Sequence, residues 1–342
     1  MANPVLVEVL RGSRVESAHR GAVAVMDADG ATVLAFGDVA QPVFPRSAVK
    51  ALQALPLVES GAADRYRIGD EELAIACGSH GGEPAHVAAV ERVLARVGLD
   101  AAALECGAHR PSHPPSADAL AHAGGAPSAL HNNCSGKHAG FLCVARHLGV
   151  DHRGYVAPNH PVQQAVKSTI EDLTGVAIEK DRCAVDGCSV PTWAVPLANL
   201  AHAFARFGTG RGFTPSRAEA ATRLRAACAR KPFFVAGTGR FATVAMESLG
   251  ERAFVKTGAE GVFCAALPDH GFGIALKCDD GAGRAAEAVM AALLIRLMKL
   301  DPPERAVLER FAQPAVTNWN GIAVGRLRPT SAVLLPNDAN KL

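Results

Sequence analysis

Ser47 and Lys50 stand three residues apart in Arg46-Ser47-Ala48-Val49-Lys50. On a helix this spacing puts both side chains on one face, with Cβ atoms roughly 5–6 Å apart. A neutral lysine amine so placed can take the serine proton and leave an alkoxide nucleophile. Ser79 lies in the glycine-rich run Cys77-Gly78-Ser79-His80-Gly81-Gly82, where backbone N–H groups can approach a ligand closely. Lys256-Thr257-Gly258 closes an apolar run, so a strand there could present the lysine and its N–H groups to a carboxylate or an oxyanion. The chemistry indicated is acyl or amide hydrolysis. Each stretch also has a plain reading: Ser-x-x-Lys as a solvated helical pair, and the Ser79 run as a strand-to-helix turn.

Asn132-Asn133-Cys134-Ser135-Gly136-Lys137-His138 brings in softer ligands. Cys134 and His138 have a helical metal spacing, and Cys188, in Asp186-Gly187-Cys188-Ser189, could complete a zinc site. Residue chemistry alone selects Cys134, His138 and Cys188; a capped helix with two buried thiols fits the pattern equally well. There are nine cysteines, an odd number, no Cys-x-x-Cys and no visible export signal, so disulfides are not expected. Cys77, Cys143, Cys228, Cys264 and Cys278 are expected to be small buried apolar residues.

The elements that must hold these groups can be outlined. Val5–Leu10 reads as a strand. Gly21–Met26 and Thr32–Phe36 flank Asp27-Ala28-Asp29-Gly30 and read as a hairpin. Pro45 should open a helix carrying Ser47 in its first turn, with a kink or stop at Pro56. Glu72–Ala76 reads as a buried strand entering the Ser79 turn. Pro84–Val97, Lys137–Leu148, Val162–Leu173, Leu197–Phe207 and Ser216–Ala229 read as helices. Cys106–Pro127 reads as a loop over one face, and Asp181–Val190 as a compact loop. Phe241–Glu247, Ala253–Thr257, Gly271–Cys278 and Gly321–Gly325 read as strands, with an apolar helix over Arg284–Lys299. Strands at both chain ends and helices between them predict one α/β domain over 1–330. Its sheet layer should come from about 1–40 and 235–330, its helical lobe from about 45–230, with a tail at 331–342.

Composition bounds the function. Hydrophobic residues are 49% and charged residues 20%, so a packed core is expected rather than disorder. The 35 basic and 33 acidic residues are mixed along the chain, which offers no basic stripe for nucleic acid and no tail for a membrane surface. The helix near Ala285–Leu300 is too short and too charged to span a bilayer. With no signal-peptide pattern at the N-terminus, a cytoplasmic protein is expected.

The pairing of Ser-x-x-Lys with Lys-Thr-Gly is the arrangement of penicillin-recognising serine acyl-transfer enzymes. Taken together, Arg46-Ser47-x-x-Lys50, Cys77-Gly78-Ser79-His80-x-Gly82-Glu83, Cys106-Gly107-x-His109-x-Pro111 and Asn133-Cys134-Ser135-Gly136-Lys137-His138 resemble the Rhizobium etli-type (class 3) L-asparaginases. Asp186-Gly187-Cys188-x-x-Pro191 and Val255-Lys256-Thr257-Gly258-Ala259-Glu260-Gly261 continue the match, which runs from the first strand to about Arg328. The resemblance implies a fold akin to serine β-lactamases and glutaminases. It implies two serine–lysine tandems, with Ser47 as nucleophile activated by Lys50 and Ser79 paired with Lys256. It implies metal ligands at Cys134, Lys137 and Cys188, which replaces His138 as ligand and leaves it to bind substrate or orient a neighbour. Arg46 and Asp186 match positions that hold the carboxylate and ammonium of L-asparagine. One zinc per chain, organising the pocket rather than supplying the nucleophile, and a homodimer are further expectations of the resemblance.

Three other readings compete: a zinc-water amidohydrolase, a β-lactamase or transpeptidase, and a non-catalytic amino-acid or zinc sensor.

Overall fold

The computed structural model describes residues 2–334. An eight-stranded antiparallel sheet is built from the two ends of the chain. Its strands are β1 (Val5–Arg11), β2 (Arg14–Asp27), β3 (Thr32–Phe36), β4 (Phe254–Thr257), β5 (Val262–Leu267), β6 (Phe272–Cys278), β7 (Ala315–Thr317) and β8 (Ala323–Pro329). The order is β7-β8-β1-β2-β6-β5-β4, with β3 paired to β2. The chain termini thus contribute adjacent strands, and residues between β3 and β4 are free to form a mainly helical lobe. Among the described residues no helix is long and apolar enough to cross a membrane.

The β2–β3 hairpin forms for the reason its sequence suggests. Asp27 Oδ1 accepts the N–H groups of Asp29 at 2.9 Å and Ala31 at 2.8 Å, an Asx-type turn. Strand β5 carries six buried residues with no alternation, the pattern of a strand covered on both faces. The Leu197–Thr209 helix packs against β2, β5 and β6, and the Gly283–Leu297 helix against β1, β5, β6 and β8.

Several elements differ from their sequence reading. Asp70–Ala76 is a helix, not a strand; its acidic first turn is closed by Glu72, whose Oε2 accepts the Gly69 N–H at 2.9 Å. Phe241–Leu249 is also a helix, with Phe241, Ala242, Ala245, Met246 and Leu249 buried on one face, a 3.6-residue period overriding its β-branched content. The loop expected over Cys106–Pro127 contains a helix, Pro114–His122, started by two prolines. The compact 181–190 loop belongs to a small hairpin, Cys183–Val185 with Pro191–Trp193. A Pro302–Ala312 helix, capped by Asp301, and strand β5 have no counterpart in the sequence reading. The expected 330 boundary falls inside packed chain, since Val333 and Leu334 are buried and Arg296 donates to the carbonyls of Ala332 and Val333. Residues 335–342 lie outside the described residues.

One contact fixes the helix-on-sheet layer. A Cβ at Gly273 in β6 would lie 2.0 Å from the Ala201 carbonyl oxygen and 2.2 Å from the Ala205 nitrogen. Only a bare Cα lets the Leu197–Thr209 helix approach so closely. Gly273→Ala should therefore lower stability by about 1–3 kcal/mol, as overpacking usually does, seen as a reduced denaturation midpoint; an unchanged midpoint would contradict this packing.

Candidate active site

Four segments far apart in sequence converge where the sheet meets the helical lobe. Pro45 is followed by a 3₁₀ turn, Arg46–Val49, and a short helix, Lys50–Gln53. The break expected at Pro56 is present, because a new helix, Leu55–Glu59, starts there. Ser47 therefore sits in a tight turn rather than a regular α-helix. The turn lies against the end of β4: a Cβ at Gly258 would stand 2.8 Å from the Pro45 carbonyl and 3.2 Å from Ala48 Cβ. Lys256, two residues earlier in β4, is thereby held at the same junction.

Ser79 is placed by its backbone. Its N–H donates to the Val235 carbonyl at 2.7 Å. Gly78 is bare because a Cβ there would lie 2.5 Å from the Phe234 carbonyl. The Ser79 Oγ is bridged by two amines, with Lys256 Nζ at 2.8 Å and Lys50 Nζ at 3.0 Å. Lys50 Nζ also donates to the carbonyls of Gly78 at 2.6 Å and Asn133 at 3.2 Å. Lys256 Nζ donates to the Thr257 carbonyl at 2.7 Å. The Ser47–Lys50 hydrogen bond expected from sequence is not formed among the described residues; Lys50 turns to Ser79 instead. The two expected tandems are thus one cluster, with Ser79 shared and Ser47 in the adjoining turn.

Both lysines are fully buried. Burial pushes the Lys50 amine below its usual range, partly countered by Cys134. Burial pushes Lys256 well below its usual range, reinforced by the charge of Lys50. Their acceptor sets suit a neutral or proton-sharing amine. An NH₂ group can donate to carbonyls and still point its lone pair at a hydroxyl proton.

The thiol pair lies beside this cluster. The Ser135–Leu148 helix begins just after Cys134 and packs on the Asp70–Ala76 helix, closely enough that a Cβ at Gly136 would be 2.4 Å from the Ile75 carbonyl. Cys188 comes from the turn of the Cys183–Trp193 hairpin, closed by Ser189 N–H to the Asp186 carbonyl at 2.9 Å. Lys137 Nζ donates to Cys188 Sγ at 3.1 Å. The Cys188 thiol and the nearby lysines draw Cys134 well below the usual thiol range, against burial. The same Cys134 contact and burial push Cys188 up. Burial lowers Lys137, but Cys134, Cys188 and Asp186 outweigh it and hold the amine up. Among the described residues no cluster of three or more His, Cys, Asp or Glu side chains is placed to hold a metal. A metal here would need Lys137 as third donor. The set fits a soft ion: two buried sulfurs, one favouring the thiolate, with an amine in contact.

His138 does not join this set. It is fully buried, its Nδ1 is 2.6 Å from Tyr155 Oη, and its Nε2 has no partner among the described residues. The residue expected to bind substrate or orient a neighbour is thus placed against Tyr155 in the interior. Helical geometry explains the difference, since residues 137 and 138 are turned about 100° apart.

Arg46 and Asp186 face each other at the exposed side. Arg46 Nε donates to Asp186 Oδ2 at 2.5 Å, leaving its Nη groups free of that bond. Arg46 has φ 51°, and Ser189 on the facing turn has φ 75°. Such left-handed backbone at a non-glycine residue costs about 1–3 kcal/mol and is a mark of functional loops. Burial raises Asp186, but Lys137 and Arg46 together keep its carboxyl below the usual range. A cavity of about 720 Å³ opens beside Arg46, lined also by Thr192, Glu260 and Lys277.

A family model described as L-asparaginase II matches residues 7–329. The chain belongs to the L-asparaginase II family. That membership supports an amidohydrolase activity of asparaginase type, and it agrees with the resemblance carried by the motifs. No curated protein matches the chain. Among solved structures it is similar to Mglu in its native form, at 16% identity and TM-score 0.41, with 78% of this chain and 61% of that one covered. This chain therefore spans less than two thirds of that structure's length. It is also similar to a β-lactamase from Mycobacterium bovis, at 15% identity, TM-score 0.37 and coverage of 85% and 94%. A mutant simvastatin synthase from Aspergillus terreus is similar at 12% identity, TM-score 0.38 and coverage of 85% and 90%. With TM-scores below 0.5, these likenesses carry no weight for mechanism.

The asparaginase-family cluster makes a thermodynamic prediction. A lysine whose native pKa is depressed binds fewer protons folded than unfolded, so its burial costs stability at neutral pH and the cost fades as pH approaches the unfolded value. Lys256→Met should be more stable than wild type at pH 7, with the difference shrinking as pH rises, while turnover falls by about 10²–10⁴-fold, the range for a lost acid–base group. Denaturation across pH and an activity assay check both; a variant destabilised at pH 7 would contradict a neutralised Lys256.

Proposed function

We propose that the protein hydrolyses L-asparagine to L-aspartate and ammonia through a serine ester. The observation that carries this reading is Ser79 bridged by two buried amines, both lowered by burial, beside the Ser47 turn. Arg46 would hold the α-carboxylate through its free Nη groups, and Asp186 would take the ammonium, by charge-assisted hydrogen bonds.

Ser47 Oγ attacks the side-chain amide carbon. Its proton passes into the Lys50–Ser79–Lys256 chain, and the same chain returns a proton to the leaving nitrogen as the C–N bond breaks. Ammonia departs, leaving a β-aspartyl ester on Ser47. Water, deprotonated by the same amines, attacks the ester carbonyl and releases aspartate, returning Ser47 to its hydroxyl form. The Ser47 backbone N–H would help hold the oxyanion, one such donor being worth about 3–4 kcal/mol of barrier.

Cys134, Lys137 and Cys188 would hold one zinc, Lys137 losing its proton on binding. When bound, the ion supplies fixed positive charge that orients the thiols and the Asp186 turn. A homodimer remains part of this reading, from the family resemblance.

A second assignment has its own support: Ser79, not Ser47, is the hydroxyl that both lysines touch, so Ser79 could itself be the nucleophile. Ser47→Ala and Ser79→Ala separate the two. With Ser47 as nucleophile, Ser47→Ala should lose ammonia release by on the order of 10⁴-fold or more, and mass spectrometry of quenched Ser79→Ala should still find ester on Ser47. Ester on Ser79 would reverse the roles, and full turnover in Ser47→Ala with loss on chelation would favour a zinc-water amidohydrolase. Elemental analysis of freshly purified protein should give about one zinc per chain, reduced in Cys188→Ala; zinc-free active protein would remove the metal from this reading.

A further inference from the structure

The Cys106-Gly107-x-His109-x-Pro111 motif takes no part in the chemistry above, yet it braces the two turns that surround Lys50. Pro111 lies against the Ser79 turn, where a Cβ at Gly82 would be 3.1 Å from Pro111 Cα, and the His113 N–H donates to the Gly81 carbonyl at 3.1 Å. On the other side, Asn132 Nδ2 donates to the carbonyls of Cys106 at 2.8 Å and Gly107 at 3.0 Å.

Asn133 is the node of this arrangement. Its carbonyl accepts Lys50 Nζ at 3.2 Å and the His80 N–H at 3.3 Å. Its Oδ1 lies 3.0 Å from Cys134 Sγ. Its own N–H donates to His109 Nε2 at 2.9 Å. The tautomer of His109 follows from its other bond. Nδ1 is 2.8 Å from the Arg110 carbonyl, which can only accept, so Nδ1 carries the proton and Nε2 offers its lone pair to Asn133.

We propose that His109 is a positioning residue: by accepting the Asn133 N–H it fixes the carbonyl that holds the Lys50 amine. Without that acceptor the part-buried amide turns to find another partner. The Asn133 carbonyl belongs to the next peptide unit, joined to this one at the Asn133 Cα, so a turn of the first shifts the φ that aims the carbonyl and weakens its contact with Lys50. His109 is half-buried in a loop and acts through Asn133. This inference rests on the proposed amide hydrolysis only for its kinetic consequence.

The experiment compares His109→Leu, which has no acceptor, with His109→Gln, whose Oε1 can replace Nε2. Ammonia release from L-asparagine gives kcat and KM, amide hydrogen exchange at Asn133 reports the bond itself, and melting temperature reports folding. In His109→Leu, kcat should fall about tenfold with KM little changed, and Asn133 exchange should rise about tenfold, as loss of one hydrogen bond implies. His109→Gln should recover most of both. Wild-type kcat and exchange in His109→Leu, a change in KM alone, or a glutamine variant no better than leucine would each overturn the proposal. If the wild type releases no ammonia from asparagine, the functional reading fails separately, and Asn133 exchange alone decides the role of His109.

Discussion

Two lysine amines buried around one serine hydroxyl constrain everything else in this structure. A buried ammonium is costly unless paired, and among the described residues no carboxylate touches either amine. Backbone carbonyls of Gly78, Asn133 and Thr257 take that place. Carbonyl dipoles satisfy N–H groups without fixing a full positive charge, so they leave the amines free to lose protons. A carboxylate in the same position would have locked both as ammonium ions and removed their use as bases.

This demand explains why the site is assembled from four segments. No single element can supply three inward carbonyls without exposing its own backbone, since helix and strand carbonyls are already bonded. Turns can. The Cys77–Gly82 and Asn132–Cys134 turns each contribute one and the frayed end of β4 at Thr257 the third, and bare glycines at 78 and 258 let them close on one another. Charge then separates across the site. Cys134 and Asp186, both lowered, lie beside Lys137 and Arg46, while burial lowers the two lysines around Ser79. Substrate charges are met at one side and proton transfer is kept at the other.

Much of this was legible in the sequence, and the exceptions have causes. The β2–β3 hairpin was readable because Asp27 carries its own turn, and the long helices because their caps and periods agree. Glu72–Ala76 reads as a strand yet is helical, because a short apolar run has no period of its own. Ser47, Lys50, Ser79 and Lys256 were all singled out in the sequence, and the Ser79–Lys256 pair implied by the resemblance is present at 2.8 Å, but the turn of Lys50 to Ser79 was not read. Whether Lys50 bonds Ser47 or Ser79 depends on the Asn133 and Gly78 carbonyls, which leave no mark in side-chain pattern. His138 was attractive as a ligand by spacing to Cys134, yet Lys137 faces Cys188, because the helix starts at Ser135 and sets which side chain looks inward. The fully buried Tyr155 that takes His138 was not anticipated.

The protonation state of the two amines is the most direct measurement. Nitrogen NMR of the lysine side chains, assigned with single substitutions at positions 50 and 256, should show at least one of these Nζ groups as a neutral amine at pH 7. Finding both as ordinary ammonium ions through pH 9 would contradict a proton-relay role for the Lys50–Ser79–Lys256 cluster.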